Sequence, residues 1–157
     1  HNTVIMVLPG PISKANFIAP AILIPDVGLK RKNKNIKVYC ADPYGSGMYS
    51  WIRKGKAKSA LSSITEGIGQ SRVTKNIEGI NFDGSYKIRD QNALDIVYDL
   101  IKNEGLFLGP TSGINIAGAI KLALEMGPGK TIITVLCDYA NRYTSRMFVP
   151  KFHLLCL

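Results

Sequence analysis

The succession of strand and helix patterns constrains this chain more than any other feature of its sequence. Residues 36–42, IKVYCAD, form a β-branched and aromatic run, and residues 131–138, TIITVLCD, form a continuous apolar run typical of strands covered on both faces. Residues 90–105 carry apolar side chains at helical spacing, with Asp90 as the predicted N-cap and Gly105 at the predicted left-handed end. Because strands and helices alternate, the sequence predicts an α/β fold with a mainly parallel sheet flanked by helices and joined by right-handed crossovers.

Two further helices and one long loop complete the predicted order of elements. Residues 46–55, SGMYSWIRKG, predict a short helix that is capped by its first serine and stopped by its last glycine. Either Ser112 or Gly113 is expected to open a second helix, which ends at residues 127–129, GPG. Residues 56–90 are polar and contain several glycines, so they are expected to be largely loop.

The overall composition indicates a single globular domain. The 157 residues suffice for one domain with a real core, and 46% hydrophobic with 20% charged residues is ordinary for such a domain. No apolar run approaches the roughly 20 residues of a membrane span. The apolar beginning of the chain contains four prolines and no basic leading segment, so it is a poor signal peptide, and a cytoplasmic location is expected.

The net charge of +9 raises the question of a nucleic-acid partner. The basic residues cluster in residues 29–37, LKRKNKNIK, and in residues 53–58, RKGKAK. Such patches can bind nucleic acid through phosphate contacts. No aromatic stacking platform or nucleic-acid motif accompanies them, so a solvated surface is the favoured interpretation and nucleic acid is the least favoured partner.

The cysteines and histidines indicate no disulfide framework and no zinc site. Cys40, Cys137 and Cys156 are odd in number and show no CxxC spacing. Cys40 and Cys137 lie in strand-like apolar runs, which predicts reduced, buried thiols in an intracellular protein. Only His1 and His153 could add imidazole ligands, so no metal site is expected.

The most suggestive stretch is the loop of residues 109–113, GPTSG, at the start of the second long helix. Backbone N–H groups at a helix start lack intrahelical partners, and the hydroxyls of Thr111 and Ser112 lie beside them. One interpretation is simple capping by Ser112 with glycines that permit close packing; the other is that a ligand approaches the backbone here. Residues 67–69, GIG, and residues 138–143, DYANRY, are expected at the same kind of sheet edge, where ligands of α/β proteins bind.

Four separated stretches, in the right order, resemble the cysteine synthase family of pyridoxal-phosphate (PLP) enzymes, which comprises O-acetylserine sulfhydrylase and its near relative cystathionine β-synthase. The resemblance runs from about Asn35 to Phe152 and covers the C-terminal part of the family only. The stretches are ADPYGSGMY at 41–49, SSITEGIGQSRVTKNIEG at 62–79, LFLGPTSGINIAGAIKLA at 106–123 and TVLCDYANRYTSRMF at 134–148.

This resemblance implies the C-terminal domain of a fold type II PLP enzyme and a set of cofactor-binding residues. In the family the first hydroxyl residue of the GPTSG-like loop hydrogen-bonds the pyridine nitrogen of PLP, and that position here is Thr111, followed by Ser112. Gly67, Ile68 and Gly69 correspond to the segment that lines the cofactor pocket, and Asp138 lies near the pocket floor. A neutral hydroxyl leaves the ring a weaker electron sink than a carboxylate partner would, which suits loss of a leaving group from the β-carbon followed by addition of a nucleophile.

Two family features cannot be located in this chain. The lysine that forms the Schiff base with PLP belongs to an N-terminal domain, and no equivalent is found here, so the catalytic residue stays unknown. The glycine-rich loop that holds the cofactor phosphate also has no counterpart, because four prolines occupy the corresponding segment. The expected organisation is therefore a divergent leader at 1–33, the C-terminal part of the enzyme domain at 34–152 and a tail at 153–157.

Three functional interpretations follow from these observations. The first is a PLP-dependent β-replacement of the cysteine synthase kind, joining O-acetylserine and sulfide, in a fragment that needs a missing N-terminal domain or chain. O-phosphoserine, or serine with homocysteine as in cystathionine β-synthase, is an equally compatible amino-acid substrate, and the complete enzyme is expected to be a homodimer. The second is a non-catalytic remnant or partner-binding half, and the third is a basic nucleic-acid binder.

Overall fold

A parallel sheet and the helices packed on it make up the described part of this protein. In the computed structural model the described residues are 3–7, 33–59, 63–65, 68–69, 71–74, 77 and 79–148, with the first of these segments described by its backbone pairing alone. His1, His153, Cys156 and Gly67, which entered the sequence argument, lie outside the described residues.

The sheet contains four parallel strands in the order β3-β2-β1-β4. Val4 of β1 lies opposite Lys37 of β2 on one side and opposite Ile132 of β4 on the other. All three pairings are parallel, which confirms the predicted α/β class with a parallel sheet. The strands are β1 (Thr3–Val7), β2 (Lys37–Pro43), β3 (Gly84–Ile88) and β4 (Thr131–Ile133).

Within the described residues, four α-helices and one short 3-10 helix accompany the sheet. Within the described residues no helix offers an apolar stretch long enough to cross a bilayer. The helices are α1 (Met48–Lys54), α2 (Asp90–Glu104), α3 (Pro110–Met126) and α4 (Thr144–Met147), and the 3-10 helix is Ala140–Tyr143.

Strand β2 and helix α2 confirm their predictions, apart from the helix start. The side chains of Val38 and Cys40 are fully buried in β2, as the apolar run predicted. Gly105 ends α2 in the left-handed conformation with φ of 68°. Asp90 does not cap the helix: the N-cap residue is Arg89, and the Asp90 carboxylate accepts hydrogen bonds from Ser63 Oγ and the Ile64 N–H instead. The carboxylate that local spacing predicted as a helix cap therefore binds two donors that lie more than 20 residues away in the chain.

Strand β3 is the main element that the sequence prediction missed. Residues 56–90 were predicted to be largely loop, yet Gly84–Ile88 pairs with β2 and is mostly buried. The glycine is required by packing, because a Cβ on Gly84 would lie 2.8 Å from Cε1 of Tyr39. Tyr39 and Tyr86 stack with ring centroids 6.0 Å apart, so two aromatic side chains on neighbouring strands supply the contact that the polar sequence did not reveal.

The last strand is shorter and more exposed than predicted. The apolar run 131–138 was expected to be a strand covered on both faces, but β4 ends at Ile133, and Val135 and Leu136 are exposed. The prediction was wrong because the backbone leaves the sheet after Ile133, and residues 135 and 137 are hydrogen-bonded to side chains of α3 instead.

Helices α1 and α3 begin at positions different from those predicted. Helix α3 begins at Pro110 with Gly109 as N-cap, rather than at Ser112 or Gly113, because proline at the first helical position has its φ already set for the helix. Helix α1 has Gly47 as N-cap, one residue after the predicted serine, and its predicted stop at Gly55 is confirmed by a φ of 70°.

Helices α2 and α3 pack against each other and cover the sheet. Gly113 allows this contact, since a Cβ there would lie 2.4 Å from the backbone oxygen of Ala93. Ile114 and Leu122 of α3 join Ala41 and Ile88 of the sheet in one apolar cluster. The first turn of α3 is thereby fixed in position, with Thr111 held against the rest of the fold.

Candidate functional site

The candidate site forms where the segment before α3 meets the segment that leads into the 3-10 helix. The Gly109 N–H donates to the Asp138 carbonyl at 2.9 Å, and the Ala140 N–H donates to the Phe107 carbonyl at 3.1 Å. Between these two hydrogen bonds, Leu108 forms an antiparallel bridge with Tyr139. Two stretches that the sequence marked independently are thus joined side by side.

Gly109 is the residue that lets the two segments approach so closely. A Cβ at this position would lie 2.5 Å from Asp138 Oδ1 and 2.8 Å from Cε2 of Tyr143. Those distances are shorter than real Cβ contacts allow, so any larger residue would displace the Asp138 and Tyr143 side chains. The glycine therefore has a packing reason beyond the helix start.

Thr111 lies in the first turn of α3 and is 5% exposed. Its Oγ1 atom is buried and has no hydrogen-bond partner among the described residues. Because Gly109 is the N-cap, the side chain of Thr111 does not cap the helix. A buried hydroxyl without a partner costs about 1–3 kcal/mol, so a ligand that supplied an acceptor would recover that free energy.

Ser112 is fully buried and joins α3 to the segment after β4. Its Oγ accepts a hydrogen bond from the Cys137 N–H at 2.9 Å, and it does not serve as N-cap. Asn115, one turn later, donates from Nδ2 to the Val135 carbonyl at 2.8 Å. The polar face of α3 therefore replaces the ladder hydrogen bonds that residues 134–137 lack beyond the end of β4.

Asp138 and Tyr143 form the polar centre of the site. The Tyr143 hydroxyl donates to Asp138 Oδ2 at 2.7 Å, and Arg142 lies 3.8 Å from the same oxygen. Burial and then the hydrogen bond to Asp138 raise the pKa of Tyr143 well above its ordinary value, so the phenol stays protonated. Thr111 lies close enough to the tyrosine hydroxyl to lower that pKa slightly, although no hydrogen bond of acceptable geometry joins the two side chains.

The described part of the predicted pocket-lining segment lies against the end of β2 and the core. Gly69 has a φ of 85°, and a Cβ there would lie 3.2 Å from Cγ of Pro43 at the end of β2. Ile68 packs against the apolar cluster that also contains Ile114 of α3. The structure therefore brings Thr111, Ser112 and Asp138 together, and it places Ile68 and Gly69 against the β2 end and the core next to them.

A buried carboxylate at the end of β2 was not singled out by the sequence. Asp42 is fully buried, and its Oδ2 accepts a hydrogen bond from the Tyr49 N–H at 2.7 Å at the start of α1. Burial raises the pKa of Asp42 from 3.8 to about 6. Its position directly before Pro43-Tyr44-Gly45, at a strand end, was the available signal. Tyr143 was missed as well, although it stood in the marked stretch 138–143.

Comparison with known proteins places this geometry in a family context. A family model described as "Pyridoxal-phosphate dependent enzyme" matches residues 27–138. The Dictyostelium discoideum protein named cysteine synthase is 40% identical over 130 residues, which are 76% of this chain and 34% of that protein. Cysteine synthase 1 of Emericella nidulans is 40% identical over 117 residues, covering 72% of this chain and 32% of that protein.

Two further similarities concern O-acetylserine dependent cystathionine β-synthases. The Bacillus subtilis protein of that name is 33% identical over 118 residues, covering 75% of this chain and 36% of that protein. A crystal structure of the Helicobacter pylori protein of that name has a TM-score of 0.72 at 23% identity and covers 92% of this chain and 42% of that chain, which shows the fold. The chain thus spans about a third of the length of the curated relatives it matches.

Proposed function

The chain belongs to the pyridoxal-phosphate dependent enzyme family, and from this premise we propose that it supplies the Thr111 side of the cofactor site of a cysteine synthase-like enzyme. The proposed reaction joins O-acetylserine and sulfide to give cysteine and acetate. Relatives named cysteine synthase in Dictyostelium discoideum and Emericella nidulans, at 40% identity, support this reaction. The chain corresponds to one part of such an enzyme, because it spans 34% of the length of the first of them.

The observation that carries the proposal is the unpaired Thr111 hydroxyl. Its oxygen is buried and has no hydrogen-bond partner in the part of the chain that the structure describes, although the side chain lies in the first turn of α3. A neutral pyridine nitrogen is an acceptor of suitable size and polarity for such a donor. The residues present therefore fit the ring end of the cofactor, and the ring would satisfy a group that the protein leaves unsatisfied.

The chemistry of the pair follows from the neutral donor. PLP, when bound, supplies an electron sink for bonds at the substrate's α- and β-carbons. The Thr111 hydroxyl donates a hydrogen bond and, with its very high pKa, does not transfer its proton to a ring nitrogen. Such a partner orients the ring and leaves the nitrogen uncharged, which favours departure of the leaving group from the β-carbon. Burial of the hydroxyl keeps water from competing for the same hydrogen bond.

The other predicted site residues are proposed to act around this hydrogen bond. We propose that Gly67, Ile68 and Gly69 contribute to the cofactor pocket; Gly67 lies outside the described residues, and Gly69 lies against the end of β2. Ser112 and Asp138 act one layer behind, since Ser112 Oγ already accepts from the Cys137 N–H and Asp138 Oδ2 from Tyr143. The lysine that binds the cofactor covalently is supplied by a separate N-terminal part. The complete enzyme is proposed to be a cytoplasmic homodimer.

Two alternatives have observations of their own. The similarity to the Bacillus subtilis O-acetylserine dependent cystathionine β-synthase, 33% over 118 residues, favours homocysteine as a second nucleophile. The burial of Thr111, which is 5% exposed, favours a non-catalytic half that keeps the loop without using it. Product analysis and ligand binding distinguish the two alternatives. Formation of cystathionine in place of cysteine indicates the first, and the absence of ligand binding under any condition indicates the second.

The proposal is tested by ligand binding with variants of Thr111. Pyridoxine 5'-phosphate is the probe, because it carries the ring nitrogen and the phosphate but has no aldehyde to react with surface lysines. Titration calorimetry should show saturable binding by this chain, alone or mixed with the N-terminal part of the Dictyostelium discoideum cysteine synthase. Thr111→Ser should bind nearly as well, and Thr111→Val should bind about tenfold more weakly, the loss expected for one hydrogen bond of roughly 1.4 kcal/mol.

Stability measurements separate the binding role from a structural one. Thr111→Val removes an unpaired buried hydroxyl and keeps the shape, so the free energy of unfolding should stay within about 1 kcal/mol of the original or rise. Thr144→Val, at an exposed threonine, is the matched control and should change neither property. Equal binding by the original chain and Thr111→Val, or a loss of stability as large as the loss of affinity, would refute the role of Thr111.

A further inference from the structure

We propose that Tyr143 is a positioning residue, whose hydrogen bond to Asp138 fixes the Gly109 loop and so keeps the Thr111 hydroxyl available to the cofactor ring. The inference rests on the proposed function and adds a residue to it that does not touch the cofactor. It is argued from one chain of contacts, which runs from Tyr143 through Asp138 and Gly109 to the first turn of α3.

The first contact fixes the Asp138 side chain. The hydrogen bond of 2.7 Å from the Tyr143 hydroxyl holds Oδ2 on one side, while Oδ1 is buried and faces Gly109 without a hydrogen-bond partner in the structure. The Arg142 guanidinium, 3.8 Å from Oδ2, has an exposed side chain and therefore contributes a weaker, screened attraction. Tyr143 is 3% exposed, so its hydroxyl is the donor that water cannot replace.

The second contact transmits this position to the loop. The Asp138 carbonyl accepts from the Gly109 N–H at 2.9 Å, and the Asp138 side chain and the Tyr143 ring occupy the space where a Cβ of residue 109 would lie. Gly109 is thus held by its amide and enclosed by two side chains that are hydrogen-bonded to each other. Since Gly109 is the N-cap of α3, this contact sets where the helix begins.

The third step concerns Thr111, two residues into the helix. Its hydroxyl lies near the Tyr143 hydroxyl, yet the tyrosine already donates its one proton to Asp138. By engaging Asp138 Oδ2, Tyr143 holds the side chain that encloses Gly109, and it thereby holds the start of the helix turn that carries Thr111.

Tyr143→Phe tests the inference, with Tyr86→Phe as the matched control. Both changes remove a tyrosine hydroxyl that donates to a carboxylate, but Tyr86 donates to Glu125 in the last turns of α3. That position is about 21 Å along the helix from Thr111, at a rise of about 1.5 Å per residue. The first readout needs no ligand: amide hydrogen exchange within residues 107–112, apart from Pro110, which has no amide hydrogen, should become about tenfold faster in Tyr143→Phe and stay unchanged in Tyr86→Phe.

A double-mutant cycle gives a readout that a merely structural role would leave unchanged. Tyr143→Phe alone should weaken binding of pyridoxine 5'-phosphate about tenfold, and in a Thr111→Val background the same change should have little further effect. Full additivity of the two losses would overturn the inference, because Tyr143 would then act independently of Thr111. Unchanged amide exchange in Tyr143→Phe would overturn it as well.

Failure of the proposed function gives a different pattern. If the original chain does not bind pyridoxine 5'-phosphate, with or without the N-terminal part, the cofactor proposal fails. The amide-exchange comparison still decides whether Tyr143 fixes the loop, since it is made on the chain without ligand. If amide exchange of residues 107–112 is faster in Tyr143→Phe and not in Tyr86→Phe, the positioning role of Tyr143 is supported. Only the cofactor ring as the hydrogen-bond partner of Thr111 would then be rejected.

Discussion

At the scale of single residues, several buried polar atoms lack the hydrogen bond that would offset the cost of their burial. Thr111 Oγ1, Asp42 Oδ1 and Asp138 Oδ1 are buried and lack hydrogen-bond partners within the structure. Each such group costs about 1–3 kcal/mol, which a protein tolerates most readily where a ligand or a proton removes the cost. Thr111 and Asp138 belong to one site, and Asp42 stands apart at the end of β2.

The buried carboxyl group of Asp42 leads us to expect a stability that depends on pH. Burial raises its folded-state pKa from 3.8 to about 6, so the folded protein holds this proton more tightly than the unfolded chain does. For a raised acid pKa, the stabilisation is present below the unfolded value and is lost as the pH rises through the folded one. The free energy of unfolding contributed by Asp42 should therefore fall by up to about 3 kcal/mol between about pH 4 and pH 7.

The Asp42→Asn variant isolates that contribution. Asparagine keeps an acceptor for the Tyr49 N–H but does not titrate. The free energy of unfolding is measured in urea at pH 4.5 and at pH 7. The difference between the variant and the original chain should shift in favour of the variant at the higher pH. Asp95→Asn, at an exposed position, controls for the loss of one carboxylate. A pH-independent difference between Asp42→Asn and the original chain would contradict the prediction.

At the scale of elements, the position of α3 decides the geometry of the site. The helix is fixed at its start by Gly109 and along its first turns by the close approach of Gly113 to α2. On its polar face, Ser112 accepts a hydrogen bond from the segment after β4, and Asn115 donates one to it. These contacts come from three different parts of the chain. A shift of α3 relative to any of them would move Thr111.

Gly113→Ala should therefore destabilise the protein strongly for so small a change. The added Cβ would lie 2.4 Å from the backbone oxygen of Ala93 and 3.0 Å from its Cβ, and neither can move without shifting α2. Overpacking of this kind costs about 1–3 kcal/mol, more than the gain of up to about 1 kcal/mol that replacing glycine by alanine brings in a helix. Urea denaturation midpoints measure the difference.

Gly79→Ala is the control for this prediction. A Cβ at Gly79 would meet no atom within 4 Å, so the same chemical change should leave the denaturation midpoint nearly unchanged. Equal midpoints for Gly113→Ala and the original chain would mean that the two helices are farther apart than the structure has them.

At the scale of the whole molecule, the described surface retains large apolar side chains in contact with water. Leu124 is 81% exposed and Ile120 is 46% exposed, one turn apart on α3. Ile133 and Leu136, at and beyond the end of β4, are about half exposed as well. Leu124 and Ile120 together present exposed apolar surface on α3, which favours association of monomers.

Leu124→Lys should reduce self-association and leave the fold unaffected. The substituted side chain is almost fully solvated, so the free energy of unfolding should change by less than about 0.5 kcal/mol. Sedimentation velocity at rising protein concentration should show a smaller weight-average mass for the variant. Ala123→Lys, at an exposed neighbour, adds the same charge and keeps Leu124. An equal effect of the two variants would assign the change to charge repulsion alone.

The sequence by itself determined the class of the fold and the location of the suggestive loop. Apolar periodicity marked β2 and α2, and glycine chemistry marked the ends of α1 and α2 at Gly55 and Gly105. These signals are local, because side-chain spacing and backbone freedom act over a few neighbouring residues. The GPTSG loop was recognised in the same way, from small and hydroxyl residues at a predicted helix start.

Only the tertiary structure decided which groups meet and which remain free. Strand β3 pairs with β2 although its sequence is polar, and the apolar run at 131–138 leaves the sheet after Ile133. The enclosure of Gly109 by Asp138 and Tyr143, and the unpaired state of the Thr111 hydroxyl, depend on contacts between segments far apart in the chain. Local spacing carries no information on such contacts, since burial and hydrogen-bond pairing are fixed only when the helices dock on the sheet.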